Sequence, residues 1–157
     1  MHERDQPDQP DQPDLDKSIV RAPQRDGRLR YSQLGAEIVL SESATRQRVN
    51  RLTERGVMQI VAVTDPAKIG LPIQAMLGIN VDGDIRTVAD ELAAVEQFEY
   101  VVVDADKFDI LAEGVCSDSD DLLRIGNACV RSIPGVRETE ILTYLKLVKQ
   151  TNTWGTD

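Results

Sequence analysis

Residues 28–56, RLRYSQLGAEIVLSESATRQRVNRLTERG, decide how the rest of the chain is read. Leu34, Ile38 and Leu40 are spaced to bury one side of a short helix and its turn, and Ser41 is a good N-cap for a second helix. Ala44, Val49 and Leu52 then point back to the core. Glu42, Ser43, Arg46, Gln47, Asn50 and Arg51 are left on the other side, a set rich in groups that hydrogen-bond base edges or phosphates. This is the layout of a helix-turn-helix with its recognition helix beginning after Ser41.

Charge points the same way once it is resolved along the chain. The whole protein carries −9, an unpromising balance for a nucleic-acid binder. Residues 15–56, however, hold nine Lys or Arg against five acids, a local net of +4. The first fourteen residues carry −4 and residues 57–157 carry −9. One basic module can therefore engage phosphates while the acidic remainder is held off by repulsion. An arginine-rich helix by itself would be satisfied as a solvated face; the turn spacing and the cap favour the DNA-binding reading.

At 157 residues, with a composition shift after Gly56, two small domains are expected. Apolar residues make up 41%, enough for a core, but aromatics only 4%, so each domain must pack with aliphatics and gains from oligomerisation. No apolar run approaches membrane-spanning length and no secretory signal opens the chain, so a cytoplasmic protein without membrane contact is expected. Cys116 and Cys129 lie in apolar stretches at no metal-ligand spacing and read as buried reduced thiols. No cofactor, metal or catalytic set is expected.

Working outward, residues 1–13 repeat the triplet DQP three times and read as a disordered acidic arm. A first helix should start near Asp14 or Asp16 and end early or kink at Pro23, before a turn at Asp26-Gly27. The helix-turn-helix domain spans 14–56. Residues 57–71 form a strand and hinge: VMQIVAVTD, Val57 to Asp65, has strand composition and reads as a wing or as the link to the next domain. From Pro72 a period-two strand through Val81 is followed by a helix from Ile85 to Val95, a strand EYVVVDA, a turn at Asp106-Lys107 and a strand FDILAEGVC. Asp118 caps a second helix with the stripe Leu122, Ile125, Gly126, Cys129 and Ile133, stopped by Pro134-Gly135. A last strand runs from Val136 to about Lys149, and 151–157 is a tail. The fold class is α+β: a (winged) helix-turn-helix followed by a ferredoxin-like βαββαβ domain over 72–150.

The two halves together resemble the Lrp/AsnC (feast/famine) transcriptional regulators from Leu15 to Lys149. The segments that carry the likeness are LDKSIV, DGRLRYSQLG, LSESATRQRVNRLTERGVM, DPAKIG, FDILAEGV and SIPGVRETEILTYLKL. Most specific is the run of Leu40, Ser41, Arg48, Val49, Arg51, Leu52, Gly56 and Val57. The chain departs from the family pattern at Pro23, in place of an apolar helix residue, at Thr45, and at Asp106, where a glycine is usual before the Phe108-Asp109 pair.

The resemblance implies a sequence-specific DNA-binding regulator whose second domain oligomerises, as a dimer or higher assembly, and senses an amino acid or related amine. Ser43, Arg46, Gln47, Asn50 and Arg51 would face the major groove of double-stranded operator DNA, with Arg28, Arg30, Arg48 and Arg55 at phosphates. Arg48 carries an equal alternative, packing its stem and pairing with an acid. For the effector, Asp109 would hold an ammonium while backbone around Asp106, Lys107 and Phe108 takes a carboxylate; Asp109 could equally fix a turn. Two other functions compete. Siroheme decarboxylases also resemble this architecture, but a proton-handling histidine would be expected there and the only one here is His2. A ligand-binding protein that has lost DNA binding is the other, motivated by Pro23.

Overall fold

The structure, a computed structural model, describes residues 13–151. Apart from Pro13, the expected acidic arm lies outside the described residues, and so does the tail beyond Thr151. The chain divides into two compact units, one of residues up to Ala62 together with the segment from Lys149, the other Val63–Val148.

Three helices build the first unit: α1 (Pro13–Arg25), α2 (Tyr31–Ile38) and α3 (Glu42–Glu54). They close over Ile19, Ala22, Leu34, Val49 and Leu52, with Leu15, Val20, Leu29, Tyr31, Ile38 and Met58 packed around them. Contrary to expectation, α1 runs two residues past Pro23. Proline there removes a single hydrogen bond of the last turn, and Asp26 N–H still reaches the Ala22 carbonyl at 3.0 Å. The chain then reverses at Asp26, whose Oδ1 accepts from Arg28 N–H at 2.9 Å.

The α2–α3 turn rests on a close approach that the sequence pattern did not mark. A Cβ on Gly35 would sit 2.6 Å from the Leu40 carbonyl oxygen and 2.9 Å from Thr45 Oγ1, so only glycine lets the two helices meet there. Thr45, not Ala44, is the fully buried residue of this turn of α3, and its hydroxyl donates to the Ser41 carbonyl at 2.9 Å. A small side chain whose hydroxyl is already satisfied fits against Gly35, which explains the departure from an apolar residue.

The strand expected over Val57–Asp65 is not formed. That segment pairs with no strand among the described residues, and Val57, Ile60, Val61 and Val63 are exposed; β-branched composition makes a strand only when a neighbouring edge completes the ladder. A single 3₁₀ turn, Pro66–Ile69, follows.

In the second unit the order is β1 (Ile73–Val81), α4 (Ile85–Ala93), β2 (Phe98–Val103), β3 (Ile110–Cys116), α5 (Ser119–Arg124) and β4 (Val136–Thr143). The strands form one antiparallel sheet in the order β2-β3-β1-β4, the expected βαββαβ arrangement. Residues Ala75, Leu77, Ile79, Val81, Ile110 and Ala112 meet Val88 and Leu92 of α4 and Ile125, Val130 and Ile133 in one core, so both helices cover the same face. Two elements differ from expectation. After α5 the chain winds as a π-helical turn, Ile125–Val130, which brings Val130 fully inside and leaves Cys129 only half-buried. The last strand ends at Thr143 rather than near Lys149, because its partner β1 begins at Ile73 and the pairing closes with Tyr144 N–H on the Gln74 carbonyl.

Candidate nucleic-acid interface

Helix α3 starts where the sequence placed it. Ser41 has extended backbone and its Oγ accepts from Ala44 N–H at 3.2 Å, and Gly56, with φ of 68°, ends the helix after Arg55. Buried Thr45, Arg48, Val49 and Leu52 hold one side of α3 in the core. On the other side Glu42, Ser43, Arg46, Gln47 and Asn50 line a shallow, open concavity. Five polar or charged side chains on the first three turns of a capped helix present donors and acceptors of both kinds, as reading of base edges in a major groove requires.

Arg46 is the organised member of this set. Its Nη2 donates to Glu42 Oε1 at 3.1 Å, and its guanidinium carbon lies 5.4 Å from the centroid of the Tyr31 ring. Arg51 is half-buried on the flank of α3 and does not line the concavity, while Arg28, Arg30 and Arg55 are exposed. Arg30 also precedes α2 as its N-terminal cap residue, with its backbone N–H donating to Gln33 Oε1 at 3.2 Å.

Arg48 resolves differently. Its side chain is 8% exposed and its Nε donates to Asp16 Oδ1 at 2.8 Å, so it packs its stem and ties α3 to α1. Of the two readings open in the sequence, the structural one holds, and Arg48 is removed from the phosphate-contact set. The residues sequence reasoning missed here are Asp16 and Tyr31. Their partners lie 32 and 15 positions further on, beyond the reach of any local pattern.

In the second unit the loop between β2 and β3 carries Asp106, Lys107, Phe108 and Asp109. Phe108 is buried, with its ring lying over Gly78 so closely that a Cβ there would meet it at 2.5 Å. Asp109 Oδ2 accepts from Val81 N–H at 2.8 Å, at the point where the β1–β4 register shifts, and its own N–H donates to the Ile79 carbonyl. Phe108 and one oxygen of Asp109 thus tie the loop to β1. Lys107 Nζ bonds Glu140 at 2.8 Å and lies 4.6 Å from the Phe108 ring centroid, and Asp106 is exposed. On the sheet face away from the helices, Gln74 Nε2 donates to Glu113 at 2.9 Å, and burial, followed by the Glu113 charge and hydrogen bond, pushes the Tyr144 phenol up to about 12. No helix among the described residues is long and apolar enough to cross a membrane.

Comparison with known proteins agrees with both halves. Residues 14–53 match the AsnC-type helix-turn-helix domain, and residues 72–157 match an AsnC-type C-terminal dimeric alpha+beta barrel domain. A Pyrococcus abyssi protein named as an HTH-type transcriptional regulator is 34% identical over 136 residues, 84% of this chain and 86% of its own length. Among solved structures, E. coli AsnC superposes with a TM-score of 0.78 at 18% identity, covering 88% of this chain and 95% of that one. A Neisseria meningitidis transcriptional regulator in complex with L-methionine gives 0.77 at 22%, covering 88% and 92%. At those identities the likeness to solved structures is one of fold, whereas the domain matches and the Pyrococcus relative concern sequence. A capped recognition helix on a three-helix unit, followed by a βαββαβ unit matched over its whole length, places the chain in the Lrp/AsnC family of DNA-binding helix-turn-helix transcriptional regulators.

Proposed function

We propose that this regulator binds a two-fold symmetric operator as a dimer, with α3 in the major groove of each half-site. The observation that carries the reading is the concavity on α3, where Ser43, Arg46, Gln47 and Asn50 offer base-reading groups on an exposed face. Arg28, Arg30, Arg51 and Arg55 supply the phosphate contacts that set register. The two compact units act as separate domains, the first for DNA, the second for assembly and effector binding. Binding is the activity that membership of a family of transcriptional regulators supports.

The effector is a small amino acid or amine. Support comes from the L-methionine complex of the Neisseria protein and from the exposed Asp106 beside Lys107, which put both signs of charge on the β2–β3 loop. A thermal-shift screen of amino acids and diamines tests this: a ligand at 100 times its dissociation constant stabilises by about 2.7 kcal/mol. No shift with any of them, or a hit unaffected by Asp106→Ala and Lys107→Ala, rules this loop out.

DNA binding is tested by fluorescence anisotropy on duplexes selected from a random pool. With four arginines per subunit on phosphates, the slope of log affinity against log salt for a dimer should be about −7. Arg46→Ala should abolish the sequence preference without unfolding the protein. Equal affinity for all duplexes before mutation would overturn the reading.

A further inference from the structure

On the outward face of α3 the structure joins the Glu42 carboxylate to Arg46 and adds the Tyr31 ring of α2. Glu42 is the first residue of α3, directly after its Ser41 cap, and it holds the Arg46 guanidinium one turn later. Both side chains are more than half exposed, so the pair contributes little to stability. Its placement is better explained by what it presents. Tyr31 opens α2, is half-buried against the core of the unit, and sets its ring 5.4 Å from the same guanidinium. Arg46 is therefore held at two points, by a ring on one helix of the motif and a carboxylate on the other, over the concavity of α3.

Resting on the reading of α3 as the recognition helix, we propose that Tyr31, Glu42 and Arg46 form a specificity-determining unit for guanine next to cytosine. Arg46 donates to O6 and N7 of a guanine, for which a planar guanidinium is the matching fork. Glu42 has acceptors only, and it takes the N4 amino group of a cytosine in the neighbouring pair. Tyr31 is a positioning residue that keeps the guanidinium from swinging to the backbone. Glu42 also works by exclusion, because a carboxylate beside phosphates is repelled wherever no amino group meets it. Removing its charge should therefore raise affinity for arbitrary DNA while lowering discrimination, a pair of opposite changes that a merely structural role does not produce.

The test selects duplexes from a random-sequence pool with the full chain, then measures anisotropy on the selected site and on versions with each G·C pair exchanged for A·T. The parent should select a G·C step at the α3 contact. Glu42→Gln should bind arbitrary duplex several-fold more tightly and lose roughly tenfold preference for cytosine, the size expected for one base-edge contact. Tyr31→Leu should weaken the guanine preference, and Tyr31→Phe, which keeps the ring, should restore it. A parent that selects no sequence overturns the recognition-helix reading itself. If the parent selects a site lacking the G·C step, or if Glu42→Gln discriminates as the parent does, only the present proposal falls.

Discussion

Val39 adopts a left-handed conformation, φ 59° and ψ 44°, as the last residue before the α2–α3 turn. Its side chain is 89% exposed, so no packing offsets the strain of a β-branched residue there. The left-handed region costs an L-residue roughly 1–2 kcal/mol, and glycine's extra freedom in the unfolded chain returns about 0.4–1 kcal/mol of that. Val39→Gly should therefore stabilise the first unit by roughly 0.5–1 kcal/mol, read as a higher urea midpoint at unchanged slope. An unchanged or lower midpoint would mean that the turn is not held in this conformation. Arg48 teaches the complementary lesson. A basic residue on a recognition helix invites assignment to DNA, but its partner Asp16 sits on another helix and consumes its charge.

At the scale of elements, strand β4 shows what ends a strand. Its pairing stops where β1 stops, and Tyr144 pins the junction with its backbone on Gln74 and its phenol beside Glu113. The folded phenol holds its proton to about 12, against an ordinary value of 10. Between these values the unfolded chain binds fewer protons than the folded one, so stability is fully present below pH 10 and is lost as pH rises toward 12. Alkaline denaturation should thus begin above pH 10, and Tyr144→Phe should flatten that loss and remove the late-titrating tyrosine from the ultraviolet absorbance curve. If the mutant and the parent lose stability in parallel, Tyr144 is not the group responsible. The π turn after α5 belongs here too: one extra residue per turn carries the buried position from Ile125 to Val130, a spacing of five that a helical pattern of three and four passes over.

For the whole molecule, the uncovered sheet face bears on assembly. Both helices cover one face; on the other, Met76 stands opposite Leu142 and Val102 opposite Leu111, with Leu142 and Tyr100 about half exposed. An apolar sheet face in water is a surface for association, and the matched domain type is described as dimeric. If the proposed dimer forms through this face, Leu142→Lys should convert it to a monomer in light scattering, because a buried unpaired ammonium at a two-fold interface is met twice. Operator affinity should fall with it, since the two half-sites are then no longer bound by one linked unit. A mutant that remains dimeric would place the interface elsewhere.

Local features were legible in the sequence. The Ser41 cap, the Asp118 cap, the Asp82-Gly83 and Pro134-Gly135 stops and the period-two strands depend on residues within a few positions of one another, and the structure has them. The order of strands and helices followed from those signals, and with it the fold class. What only the tertiary structure decided involves partners far apart in the chain. Asp16 claims Arg48, Phe108 fills the space over Gly78, one oxygen of Asp109 accepts from Val81, and the segment from Val57 forms no strand because no edge among the described residues meets it. Burial and ladder pairing are properties of two surfaces at once, so one stretch of sequence cannot state them.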